Sequence, residues 1–225
     1  MLKHVLNYYQ YLADTFEKET WFDPLWLSSG AETEAPRQNS RRDQMVELHN
    51  RYKNCHLCTF ARERKKMIVG AGNCDAQLLI IGLAPFPEDI KSNYPLVGRY
   101  PDLIDKMMKH IGLDRDCIFT TTFFKCPLPL DTQVAFEQSH HCRQMLVEQL
   151  SILNPKAILL LGEKVYHLFY QSRLALASIR AKQVYYQKIP VLVTWDIDEI
   201  ATGDKTLKLE VKTDLERIKG WLNGH

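Results

Sequence analysis

A chain of 225 residues is long enough for one α/β domain with a full core and an appendage. A composition of 45% hydrophobic and 25% charged residues is that of an ordinary globular protein, and a formal charge of +2 argues neither for nor against nucleic acid. With no long apolar run and no basic-then-apolar leader, the expectation is a cytoplasmic protein without a membrane span. Its six cysteines are expected to be metal ligands or buried thiols rather than disulfides.

Leu2, Val5, Leu6, Tyr9, Leu12 and Phe16 fall at helical spacing, and Trp21 and Trp26 follow. Residues 1–27 are therefore expected to form an amphipathic arm. The arm either packs on the core or docks on a partner groove through Tyr11, Leu12, Phe16 and Trp21. Residues 28–42, SSGAETEAPRQNSRR, have almost nothing to bury and read as a flexible linker. The main domain is expected over 43–225.

From there helices and strands alternate. A short helix at 44–53 leads into CHLC. QLLIIGL is the first strong strand, DLIDKMMKHIGL an amphipathic helix and CIFTTTFF a second strand. QSHHCRQMLVEQLSIL reads as a helix, AILLLG as a third strand and IPVLVTW as a fourth. Helices are expected to open at Glu163 and to run from Leu207 to Leu222. Near-continuous apolar strands alternating with helices predict a three-layer α/β/α fold around a mainly parallel four-stranded sheet. Functional groups of such sheets gather at the carboxyl ends of the strands, where GLAPFPED, TTFFKC and VTWDID lie.

Cys55 and Cys58 form a C-x2-C, which brings two thiolates to one metal corner. Cys126 and Cys142 add a C-x15-C after an interval of 67 residues. By ligand count alone, four thiolates suit zinc and a [4Fe–4S] cluster equally. Cys74 and Cys117 read as inert, partly buried thiols. The basic run Arg62 to Lys66 reads as a solvated face, and the pair His140–His141 as surface histidines. GAGN at Gly70 to Asn73 is a turn before a strand.

The segment from Gly82 to Cys126, GLAPFPEDIKSNYPLVGRYPDLIDKMMKHIGLDRDCIFTTTFFKC, resembles the core of the family 4, iron–sulfur uracil-DNA glycosylases. The likeness continues through CRQMLVEQLSILNPKAILLLG and covers roughly residues 50–222. The resemblance implies a uracil-DNA glycosylase-like fold. It also implies a structural [4Fe–4S] cluster held by Cys55, Cys58, Cys126 and Cys142, since the four cysteines fall where the family places its ligands.

At the family's motif positions the side chains differ. Leu83 stands for an acidic residue, Phe86 for a glycine, Leu96 for the phenylalanine on which uracil stacks, and Thr122 for the asparagine that reads the uracil edge. Asp196-Ile197-Asp198 stands where the family has His-Pro-Ser, and Asp196, Asp198 and Glu199 fall where the family presses a loop into the minor groove, so that clustered carboxylates oppose phosphate there. Gly98, Arg99, Lys125 and Arg180 remain and fit scaffold or surface roles. Lost donors and acid/base groups of this kind typically cost ~10²–10⁴ in rate each. On that ground no catalytic residue is expected. The leading expectation is a non-catalytic accessory of DNA replication or repair. YLADTFEKETW, moreover, distantly resembles the N-terminal peptide of the clamp-loader psi subunit. The expected partners are clamp-loader or single-strand-binding proteins. The alternative is an active base-excision DNA glycosylase with an altered pocket and a different base.

Overall fold

The computed structural model describes residues 40–64, 66–129, 136–180 and 182–224. The compact unit that holds the sheet spans Asn39–His225. The arm residues Tyr11, Leu12, Phe16 and Trp21 lie outside the described residues.

Helix α1 spans Arg41–Tyr52. It starts inside the stretch expected as linker to residue 42. The reason is a capping box: the Ser40 hydroxyl accepts from the Asp43 N–H at 3.2 Å, and the Asp43 carboxylate accepts from the Ser40 N–H at 3.1 Å. Short helix α2, Thr59–Glu63, follows the C-x2-C. Strand β1, Ala71–Gly72, precedes β2, Leu78–Gly82. Then come α3, Asp89–Ser92, and α4, Leu103–His110. Strand β3, Ile118–Thr122, is followed by α5, Phe136–Leu153, and β4, Ala157–Leu161. Helices α6, Glu163–Tyr170, and α7, Leu176–Arg180, lead to β5, Val184–Tyr186, and β6, Ile189–Thr194. Helices α8, Ile197–Thr202, and α9, Lys205–Leu222, complete the order.

The sheet has six strands in the order β1-β3-β2-β4-β6-β5. The four expected strands form its parallel centre: β2 pairs in parallel with β3 and β4, and β4 with β6. Two antiparallel edge strands, β1 on β3 and β5 on β6, extend the expected four. They are two and three residues long, too short for an alternation pattern to reveal them.

Each central strand is buried on both faces, which is why it reads as a continuous apolar run. Leu79, Ile81, Ile158 and Leu160 point to one face, where they meet Met45 and Leu48 of α1, Met145, Leu146 and Leu150 of α5, and Val165 and Phe169 of α6. Leu78, Ile80, Leu159 and Leu161 point to the other, against Ile104 and Met108 of α4, Ile200 of α8, and Val211, Leu215 and Ile218 of α9. Consecutive side chains alternate across the sheet, so one strand serves both layers. Among the described residues no helix is long and apolar enough to cross a membrane.

Candidate functional site

The parallel strands β2, β4 and β6 end together, and above their carboxyl ends lies a cavity of about 750 Å³. Gly82, Leu161 and Gly162 line it from the strand ends. The 83–87 segment and Leu96 form one wall, and Asp196 to Glu199 another. Such a crevice outside the carboxyl edge is where open parallel sheets bind ligands.

One buried carboxylate shapes the first wall. Asp89 is fully buried and accepts four backbone N–H groups: Phe86 at 2.8 Å, Leu96 at 2.9 Å, Val97 at 3.1 Å and Gly98 at 2.5 Å. Burial pushes its pKa up, and these four donors pull it back. The 86–98 segment is thus folded around a single side chain. Gly98 permits this, because a Cβ there would sit 2.6 Å from the Asp89 backbone nitrogen. Leu96 adopts a left-handed φ of 67° and packs its side chain over Gly82. Phe86 stands edge-on to Tyr100 at 6.1 Å and carries the Arg99 guanidinium 4.6 Å from its ring centre.

The second wall is a helix start, not the loop expected from the sequence. Asp196 caps α8 by accepting from the Asp198 N–H at 3.0 Å, and Glu199 closes the box by accepting from the Asp196 N–H at 2.9 Å. The pattern D-x-x-E is itself a capping signal and could have been read from the chain. Burial raises the Asp196 pKa; the Asp198 N–H lowers it, and the nearby carboxylates of Asp198 and Glu199 raise it further. Asp198 accepts from the Tyr100 hydroxyl at 2.8 Å and pairs with Arg99 at 3.4 Å.

Thr122 does not face the cavity. It is fully buried, and its hydroxyl donates to the Phe124 carbonyl at 2.7 Å. Leu83 and Phe86 line the cavity, as does Leu96. Of the retained residues, Arg99 lines it as well. Arg180 instead pairs with Glu210 and Asp214 on α9. Lys125 is 1% exposed and donates to Thr121 Oγ1 at 2.7 Å, the Thr122 carbonyl at 2.5 Å and Gln149 Oε1 at 2.6 Å, so it is a scaffold residue and not a surface one.

The cysteines make a second centre, apart from the cavity lining. Burial raises the Cys126 thiol and pushes Cys142 up to about 11. Cys55 and Cys58 raise Cys126 further, and Cys126 and Cys58 raise Cys142 further, so Cys58 acts on both. The Lys125 backbone N–H lowers the Cys142 thiol, and Arg64 Nη1 donates to Cys126 Sγ at 3.4 Å. Arg64 therefore corrects the reading of Arg62 to Lys66 as a wholly solvated face. Among the described residues no three His, Cys, Asp or Glu side chains close on the point of a single ion. His140 and His141 stack edge-on at 5.6 Å, and His140 is exposed.

The model of the uracil DNA glycosylase superfamily matches residues 69–214, which span the sheet and both cavity walls. The chain belongs to that superfamily. A "Type-4 uracil-DNA glycosylase" of Thermotoga maritima is 26% identical over 145 residues, 64% of this chain and 76% of that protein. The namesake enzyme of Archaeoglobus fulgidus is 26% identical over 173 residues, covering 73% of this chain and 86% of its own. That of Pyrobaculum aerophilum is 30% identical over 118 residues, 52% and 60% of the two chains.

These relatives overturn the accessory reading. Each is named for the glycosylase activity, and none is named for a part in a clamp loader. In the sequence each changed motif side chain reads as a loss. The structure keeps the cavity open and puts the Asp196 carboxyl, half-buried, in its wall. Counting losses position by position overlooked what the new side chains supply.

Proposed function

We propose that this chain is a base-excision DNA glycosylase with an altered pocket and base specificity. The observation that carries the reading is the 750 Å³ cavity at the carboxyl ends of β2, β4 and β6, with Asp196 in its wall, in a chain of this superfamily. A glycosylase turns a nucleotide out of the stack and hydrolyses the bond between C1′ and the base nitrogen. Water adds to C1′ and a proton goes to the departing base.

Phe86, held by Tyr100 and Arg99, offers an aromatic wall for the extruded base. Asp196 is placed to accept the proton of the attacking water or to stabilise positive charge growing on the sugar. Arg99 at the cavity edge offers a cation to phosphate, tempered by Glu88 and Asp198. The edge-reading group differs most. Thr122 has spent its hydroxyl on Phe124, and Asp196 as a carboxylate only accepts hydrogen bonds. Such a pocket favours a base edge that presents N–H donors over the carbonyl-rich edge of uracil.

The cysteines suit the [4Fe–4S] cluster that the family resemblance implies. They offer four soft donors, with Cys58 acting on both Cys126 and Cys142, and a cluster takes its thiolates on four separate irons. Cys55, Cys58, Cys126 and Cys142 would hold it. When bound it supplies a tie between chain segments, and no step of the hydrolysis is routed through it.

The test is single-turnover release from single- and double-stranded oligonucleotides carrying uracil, hypoxanthine, xanthine or an amino-bearing modified base. The expected result is release of at least one base by the anaerobically purified protein, lost in Asp196→Asn. Iron-loaded protein that frees no base from any substrate overturns the reading.

A further inference from the structure

We propose that Arg64 is a positioning residue for the cluster, its guanidinium clamping the Cys126 thiolate to the chain segment that carries Cys55. The proposal rests on the four-cysteine reading above. The geometry is that of a fork with separate tasks. Nη1 donates to Cys126 Sγ at 3.4 Å, and Nη2 donates to the Lys53 carbonyl at 3.1 Å, two residues before Cys55. Cys55 lies within the field of the same guanidinium. One planar cation therefore ties Cys126 to the segment that carries Cys55, 71 positions earlier in the sequence (126 − 55). A lysine could supply the charge but not the fork.

The clamp has an electrostatic side as well. Four thiolates outweigh the charge of an iron–sulfide core, so the whole is an anion that becomes more negative when it gains an electron. Hydrogen bonds to ligand sulfur and a fixed nearby cation both ease that gain. Lys125, buried beside Cys142, gives its ammonium hydrogen bonds to Thr121 Oγ1, the Thr122 carbonyl and Gln149 Oε1, so its charge acts on the centre from a distance. Arg64 is thus the guanidinium that meets the sulfur directly.

The experiment uses the full chain purified without oxygen as wild type, Arg64→Gln and Arg64→Lys. Iron per chain, the one-electron midpoint potential with the electron supplied by an electrode, and the lifetime of the visible absorbance in air are measured. Circular dichroism checks the fold. Arg64→Gln is expected to shift the midpoint to more negative values and shorten the lifetime in air severalfold. Arg64→Lys should restore the midpoint but not the lifetime. Loss of iron from Arg64→Gln with native circular dichroism supports the clamp equally. A wild-type protein loaded with iron, with both variants matching it in midpoint and lifetime, overturns the clamp and leaves the cluster standing. A wild-type protein that binds zinc and no iron overturns both.

Discussion

Asp196 is pulled in two directions. Its capping bond from the Asp198 N–H favours the carboxylate, whereas burial and the neighbouring Asp198 and Glu199 favour the acid, and burial leads. The proposed chemistry needs the carboxylate, so the sign is fixed. Activity is expected to fall as pH drops, with an acid limb above the ordinary carboxylate range. Lys164 favours the charged form, so Lys164→Gln should move that limb further up. Single-turnover rates across pH for the two proteins check this, and a limb that stays in the ordinary range in both would remove Asp196 from the chemistry. Asp196→Asn should lower the rate by ~10²–10⁴ while barely moving the melting temperature, because asparagine is as good an N-cap as aspartate. Asp89 calls for the opposite signature. Removing a buried carboxylate that accepts four N–H groups leaves those donors without partners in the interior. Asp89→Ala is expected to cost about 3–5 kcal/mol in denaturant unfolding. A loss under about 1 kcal/mol would show that water replaces the carboxylate.

At the scale of elements, the central strands were legible because burial on both faces writes itself as an unbroken apolar run. LLIIG, IFTTT and AILLL are buried throughout. The cavity walls leave no such run, and only the D-x-x-E cap of the second was open to reading. The first wall is irregular backbone organised by one side chain, and no periodicity marks Asp89 as its centre. The second wall is a helix of six residues, below the length at which an apolar stripe can be seen. The first wall gives an element-scale prediction. At Gly98 an added Cβ would meet Glu88 and Asp89 backbone atoms at 2.6 Å, and backbone cannot swing aside as a flexible side chain can. Gly98→Ala should therefore cost about 1–3 kcal/mol and open the wall, with base release falling along with stability. Gly82→Ala differs, since the atoms nearest its Cβ belong to the Leu96 side chain, the first at 2.5 Å. Pairing it with Leu96→Ala should recover part of the lost stability, whereas no such partner exists for Gly98. Equal behaviour of the two glycines in thermal melts would count against this account of the wall.

For the whole molecule, the proposed cluster would tie distant parts of the chain. Cys55 and Cys58 follow α1, Cys126 follows β3, and Cys142 lies on α5. Their spacing was visible in the sequence, but the clamp of Arg64 and the burial of Lys125 were not, because each depends on contacts between residues tens of positions apart. Burial favours the protonated Cys126 and Cys142 thiols, and neighbouring sulfurs add to this, Cys55 and Cys58 at Cys126 and Cys126 and Cys58 at Cys142. Binding of the proposed cluster would demand four thiolates and so release protons, and a group that binds only the folded chain adds its net binding free energy to stability. A closed tie also limits the unfolded chain, as any cross-link does. Cys126→Ser and removal of the group by chelator should then converge on one destabilised state. For a domain of this size each 1 kcal/mol corresponds to roughly 2–4 °C. A loss of several kcal/mol should therefore lower the melting temperature by on the order of 10 °C. The two treatments together should do no more than either alone, since they remove the same tie. Additive losses, or a melting temperature indifferent to chelation in iron-loaded protein, would mean that the cysteines stabilise the fold as packed thiols and that the tie carries none of it.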